Sequence, residues 1–216
     1  MYLKYNVRDY FEKCIRLTDK SICDWGCNHG NMINYKQVDF AYTGVDVDLK
    51  IIQAMTIKEP YHKWIHFDYY NHQYNNRVTE PIWPKIDNID AYLLYSVFTH
   101  MDVPMIKEHL NYFNADTYAT FFSSTNMSVI ERVLDYKLDK KYADKIYNKD
   151  TAYVVKLKDD VIIYTDLEKL PEMKNAEYFL AFYSPEYMKQ FGYVNHLERY
   201  YVDGILSTQP CLCISR

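Results

Sequence analysis

The sequence predicts an α/β fold built on one mostly parallel sheet, and three observations lead there. Through residue 124, short apolar stretches of strand length alternate with segments whose apolar residues recur at helical spacing. One stretch, "IDAYLLYSV" at 89 to 97, is apolar almost without a break and flanked by acids, the pattern of a strand covered on both faces. The stretch "SICDWGCNHGNMIN", residues 21 to 34, ends a short strand in a turn that carries two of only five glycines in 216 residues.

The elements follow in order. Val7, Tyr10, Phe11, Cys14 and Ile15 share one side of a helix expected over 5–17. A first strand ends at Asp24, and a brief helix is expected from about Asn31. "FAYTGVDVD" (40–48) reads as the second strand, "LKIIQAMTI" as the helix after it, and "HKWIHFDYY" (62–70) as the third strand. After the fourth strand, Asp102 is a natural N-cap, Pro104 fits the first turn, and Ile106, Leu110 and Phe113 share a face. "TYATFFSS" (117–124) is the fifth strand.

The alternation then breaks. Residues 127–147 have the pattern of an amphipathic helix, and "YVVKLKDDVIIYTD" that of a β-hairpin turning at Asp159 and Asp160. The expectation is a single domain over 1–216 with a helix-plus-hairpin insertion or lid at about 126–176. "YSPEYMKQFGY" restores the rhythm as a helix capped by Ser184, with Pro185 at its first position and Gly192 beyond its end. "VNHLERYYVD" and "QPCLCIS" are expected to close the chain as an antiparallel hairpin at the sheet's edge, turning near Asp203 and Gly204.

Composition narrows the function classes. With 25 Lys and Arg against 29 Asp and Glu, the net charge is -4, and no basic excess marks a phosphate-gripping surface, so no nucleic-acid partner is expected. The N-terminal stretch lacks the basic and apolar regions of a secretory signal, and the apolar runs are too short to span a bilayer. A cytoplasmic protein without a membrane partner is the expectation. Cys14, Cys23, Cys27, Cys211 and Cys213 form no CxxC pair, and reduced thiols are expected. His62 and His66, four apart on a strand, would stand roughly 13 Å apart, so no metal site is expected.

The glycine turn carries the chemistry. At the first βα turn of an open α/β sheet a ligand presses on the backbone, and a Cβ there would block it. Gly26 and Gly30 bracket that turn, and Asn28 between them tolerates a left-handed conformation best among residues that have a Cβ. A dinucleotide site would require glycine at 28 and 31, where this chain has Asn28 and Asn31. The alternative pattern, acid-x-G-x-G-x-G, is met at Asp24, Gly26 and Gly30, with Asn28 in the middle place. This stretch resembles motif I of the class I S-adenosylmethionine-dependent methyltransferases.

Three further stretches extend the resemblance in the family's order. "TGVDVD" supplies Gly44 and Asp46, with Asp48 as a second candidate; "HFDYYN" supplies Asp68 and Tyr69; "DAYLLYSVFTHM" supplies Ser96, Phe98, Thr99 and His100. "YSPEYMKQFGY" is similar to the family's penultimate helix. The resemblance implies a Rossmann-like methyltransferase fold, a seven-stranded sheet with an antiparallel last strand and helices on both faces. It also implies S-adenosyl-L-methionine as methyl donor, with S-adenosyl-L-homocysteine as product. On that basis Asp24, Gly26, Asn28, Gly30, Asp46, Val47, Asp68, Tyr69 and Ser96 are expected to hold the cofactor. Asp24 would accept from its ammonium, and Asp46 would take both ribose hydroxyls. Thr99, His100, Tyr183 and Tyr187 are expected at the substrate, with His100 as candidate base. The expected reaction is methyl transfer to an oxygen or nitrogen of a small molecule or sugar. The alternatives are a methyltransferase for protein or nucleic acid, a nicotinamide-dependent oxidoreductase, and an inactive methyltransferase-like binding subunit. The oligomeric state is open.

Overall fold

The computed structural model describes residues 7–33, 38–69, 81–101, 103–123, 152–157, 161–166, 179–195, 200–202, 205–207 and 210–216. Its central sheet forms because consecutive apolar strands find cover on both faces. β1 (Ser21–Trp25) is buried at every position after the first, and it lies between β2 (Ala41–Asp46) and β4 (Ala91–Leu94), parallel to both. β3 (Lys63–His66) adds parallel to β2, and β5 (Asp116–Thr120) parallel to β4.

Among the described residues the strands after β5 are β6 (Phe122–Ser123), β7 (Ala152–Leu157), β8 (Val161–Asp166), β9 (Phe179–Tyr183), β10 (Tyr193–Asn195), β11 (Tyr200–Val202), β12 (Ile205–Ser207) and β13 (Cys211–Ile214). The seven-stranded sheet runs β10-β13-β5-β4-β1-β2-β3, with β13 antiparallel to both of its neighbours. The expected sheet, mostly parallel with an antiparallel last strand, is therefore present.

Among the described residues the helices are α1 (Val7–Phe11), α2 (Leu49–Lys58), α3 (Val103–Tyr112) and α4 (Pro185–Met188), with a 3₁₀ turn at Phe98–His100. Strand alternation divides the core between the two faces. Ile22 and Leu93 pack with Val7, Tyr10 and Phe11 of α1 on one face. Cys23, Trp25 and Leu94 pack with Ile106 and Leu110 of α3 on the other. Two caps fix helix entries beside the sheet. Asp48 accepts the backbone N–H of Lys50 and Ile51 at the start of α2, and Ser184 accepts that of Tyr187 at the start of α4.

Several elements differ from the expectation. The first helix closes at Phe11, and the chain turns through Cys14, whose N–H donates to Phe11 O. Residues 31–33 form a turn rather than the start of a helix. The fifth strand breaks at Phe121, whose buried ring sits between β5 and β6 while its N–H donates to Pro210 O. β6 then pairs with β9 in a separate four-stranded sheet, β6-β9-β8-β7, which contains the expected hairpin as β7 and β8. The stretch read as one strand over 194–203 splits into β10 and β11, and β11 pairs with β12 outside the main sheet. β13 is not an edge strand: it lies between β5 and β10. The helix expected over 127–147 lies outside the described residues. No helix among the described residues is long and apolar enough to cross a membrane.

Candidate functional site

The C-terminal ends of β1, β2 and β4 open onto a cavity of about 280 Å³. Its lining comes from the turn after each strand: Gly26 and Asn28 after β1, Asp46 and Val47 at the end of β2, and Ser96 and His100 after β4. This is the edge where open α/β sheets take ligands. The volume lies near the lower end of the range for small-molecule pockets, roughly 300–1,000 Å³.

The backbone at this edge is held in conformations that side chains normally avoid. Gly26 has φ +78°, Asn28 +47°, Gly30 +70° and Ser96 +57°. The space at Gly26 is also closed to a side chain, since a Cβ there would stand 2.5 Å from Cγ2 of Val97. Gly30 has a different reason. Its added Cβ would meet Ile33, Met55 and Trp64 at 3.1 Å, so it lets the turn lie against α2 and β3 rather than against the cavity. Ser96 is pinned from both sides: its N–H donates to Thr120 Oγ1 at 2.7 Å, and its carbonyl accepts Thr99 Oγ1–H at 2.6 Å. Such clamping is what a left-handed residue with a Cβ needs in order to persist.

Asp46 is the best-organised polar group of the site. It is buried at the strand end, and each carboxylate oxygen accepts one backbone N–H: Asn28 on Oδ2 at 2.8 Å and Asp48 on Oδ1 at 2.9 Å. Burial pushes its carboxyl above the ordinary value, against the pull of the Asp48, Asn28 and Val47 backbone N–H groups. A carboxylate has about four lone-pair positions, so the pair of N–H bonds orients the group and leaves acceptor capacity. Beside it, the Val47 carbonyl accepts Nε2–H of His66 at 3.2 Å.

The sequence-predicted residues divide. Gly26, Asn28, Asp46, Val47, Tyr69, Ser96 and His100 line one cavity. Asp24, Gly30, Asp68, Thr99, Tyr183 and Tyr187 are not part of that lining. Asp24 lies on the α1 face of β1, fully buried, and accepts Tyr42 Oη–H at 2.7 Å. Burial pushes its carboxyl up to about 7, opposed by the tyrosine's hydrogen bond and reinforced by the Asp46 charge. Asp68 is half-buried just past β3. Thr99 is buried and acts on Ser96 through its hydroxyl. Tyr183, buried in β9, donates to Met101 O and stacks on Tyr187 with ring centres 6.3 Å apart, which ties the second sheet to the segment after β4.

Sequence reasoning missed the aromatic side of the cavity. Trp25, Phe67, Tyr95 and His109 also line it, with Met101 and Val97. His109 sits on α3, buried, its ring edge-on to Tyr69 at 4.7 Å, Trp83 at 5.0 Å and Trp25 at 5.8 Å. A carbonyl can only accept, so the 2.8 Å contact with Met105 O puts the proton on Nδ1 and leaves Nε2 as a lone-pair acceptor. No described residue donates to that nitrogen. Burial pushes the imidazole down to about 4, which keeps it neutral near pH 7. The available signal was its helical spacing, Met105 to His109, on a face that also carries Ile106 and Leu110.

No protein-family model matches the chain, and no curated protein matches it in sequence. Solved structures do match in fold. An S-adenosylmethionine-dependent methyltransferase from Clostridium acetobutylicum is 13% identical, with 100% of this chain and 93% of that one covered at a TM-score of 0.52. The 1,6-didemethyltoxoflavin-N1-methyltransferase of Burkholderia thailandensis, solved with its substrate and S-adenosylhomocysteine, is 7% identical, with 99% and 78% covered at 0.53. A Rhodobacter sphaeroides structure named for zinc-dependent alcohol dehydrogenases is 9% identical, with 97% and 88% covered at 0.53. The chain has the Rossmann-like methyltransferase fold. At these identities the likeness is one of fold alone, and the site has to decide the chemistry.

Proposed function

We propose that this chain is an S-adenosyl-L-methionine-dependent methyltransferase acting on an oxygen or nitrogen of a small molecule or sugar. The observation that carries the reading is Asp46: a carboxylate at the end of β2, oriented by two backbone N–H bonds, beside a turn of left-handed residues. Its remaining lone pairs suit the two hydroxyls of a ribose. A second buried acid, Asp24, stands behind the same turn. Two acids there would repel a pyrophosphate, which disfavours a dinucleotide, whereas a cationic ligand without phosphate is favoured.

The chain's other residues support the same ligand. Gly26 and Asn28 bring backbone to the cavity wall, where a ligand could lie close against the turn. Phe67, Tyr69, Trp25 and Val47 offer flat and apolar surface for a heteroaromatic base, and Nε2 of His109 offers it an acceptor. When bound, the cofactor supplies an electrophilic methyl group on a sulfonium centre. The protein's remaining task is to hold an acceptor in line with it and to keep water away. His100, half-buried at the cavity after β4, would take a proton from that acceptor. The second sheet, fixed to Met101 through Tyr183, would border the acceptor's side.

The test is a calorimetric titration of the purified chain with S-adenosylhomocysteine, with NAD in a parallel cell. Binding of the first alone supports the reading. Binding of NAD alone, or of neither, overturns it.

A further inference from the structure

Outside the cavity lining, three cysteines distant in sequence meet. Cys211 and Cys213 are two apart on β13, so their side chains share one face of the sheet. Cys14 comes from the turn after α1 and packs against that face. The three sulfur atoms all lie within 4.8 Å of one another. Asn195, the register partner of Cys211 on β10, donates its amide Nδ2–H to Cys14 Sγ at 3.9 Å. Cys14 and Cys213 are half-buried, so the cluster can be reached from solvent, while Cys211 forms its buried floor.

We propose that Cys14, Cys211 and Cys213 form a binding site for one soft d¹⁰ cation, Zn²⁺ or Cu⁺. The centre of an equilateral triangle with the limiting 4.8 Å side lies about 2.8 Å from each corner, within ~0.5 Å of a zinc–thiolate bond of ~2.3 Å. A small rotation about each Cα–Cβ bond closes that gap. Thiolates select these cations over Mg²⁺ or Ca²⁺, which take oxygen ligands. Binding replaces three S–H bonds by three S–metal bonds and releases up to three protons to solvent. No electron moves. The fourth position of a tetrahedral zinc is left to water or to the Asn195 amide, which presents an oxygen when turned over. The site would staple the N-terminal helix to the last strand of the sheet. It stands apart from the methyltransferase reading and does not depend on it.

Spacing hides this site from the sequence, since its ligands are a CxC pair and one cysteine almost two hundred residues away. The experiment uses the whole chain, reduced and freed of metal by chelation. Zn²⁺ and Cu⁺ are each titrated in competition with a chromophoric chelator, and Co²⁺ serves as spectroscopic stand-in for zinc. The expected result is one cation per chain, a thiolate-to-cobalt charge-transfer band, and affinity at least 100-fold weaker in Cys14→Ser and Cys213→Ser. Cys27→Ser, away from the cluster, should bind as the parent does. Should the serine variants fail to fold, alkylation of the parent chain with and without metal decides: bound cation should protect Cys14 and Cys213. Absence of stoichiometric binding, unchanged alkylation at Cys14, or a Cys14–Cys213 disulfide that forms in preference to the metal complex would each overturn the proposal.

Discussion

The backbone N–H of Asn28 donates to Oδ2 of Asp46 at 2.8 Å, so the turn after β1 is tied to the end of β2 by a bond inside the cavity wall. Asn28 holds φ +47° in that turn, between Gly26 at +78° and Gly30 at +70°. Turn and acid are thus one unit. Neither is positioned without the other, and the carboxylate plane is set before any ligand arrives.

Asp46→Asn tests that unit. An amide keeps the shape and one acceptor oxygen but loses the charge and half of the acceptor capacity. Charge-assisted bonds contribute on the order of 1.5–3 kcal/mol, so affinity for S-adenosylhomocysteine should fall roughly 10- to 100-fold. Calorimetry on the folded variant reads this directly, and affinity within twofold of the parent would remove Asp46 from the ligand.

Gly26→Ala should destabilise the chain by about 2–4 kcal/mol, from left-handed strain and from overpacking together. The two causes separate, because the added Cβ would press on Val97 at 2.5 Å. Adding Val97→Ala should return the packing part and leave the strain. Urea unfolding of the parent, both single variants and the double variant forms the cycle. Strict additivity would mean that Val97 is not what closes the space at Gly26.

Much of the fold was legible in the sequence because buried parallel strands must be apolar throughout, as Ala91–Leu94 is. The Ser184 cap was legible for a local reason: Ser-Pro before a helix leaves few alternatives. What escaped depends on contacts distant in sequence. Nothing near Phe121 announces that the chain changes sheets there, since its burial depends on Pro210 and the start of β13. Strand alternation puts Asp24 on the α1 face with Tyr42, a consequence of pairing with β2 that motif spacing does not encode. Asp46 was legible because a strand-end acid is local; His109 was not, because its neighbours Trp25, Phe67 and Trp83 come from three separate segments.

Asp24 should make stability depend on pH. Its carboxyl is raised from 3.8 to about 7 in the fold, chiefly by burial. A raised acid stabilises most below its unfolded value, and that contribution is lost as pH climbs from about 4 through about 7. Asp24→Asn removes the titration while its amide oxygen can still accept from Tyr42. Each tenfold change in proton affinity is worth about 1.4 kcal/mol, so the variant should gain on the order of 2–4 kcal/mol over the parent between pH 4 and pH 8. Urea unfolding at both pH values checks this, and a difference between parent and variant that ignores pH would contradict it.

His100→Ala addresses the proposed proton transfer. If His100 is the base, turnover of a methyl acceptor should fall roughly 10²- to 10⁴-fold, with affinity for S-adenosylhomocysteine kept within about threefold. Retained turnover would reduce His100 to a wall of the cavity.

His109 yields the last prediction, in which burial and binding separate. Burial lowers its imidazole from 6.5 to about 4, so its contribution to stability is complete above pH 6.5 and is lost as pH falls through 4. His109→Phe fills the same aromatic enclosure without a titratable group or an acceptor. The acid side of the stability profile should flatten between pH 6.5 and 4. At pH 7.5, where the parent imidazole is neutral, affinity for S-adenosylhomocysteine should fall about tenfold, as expected for one hydrogen bond of ~1.4 kcal/mol. Unfolding across pH and calorimetry at pH 7.5 read the two effects independently. A flattened profile with unchanged affinity would mean that Nε2 is buried for packing alone and does not meet the ligand.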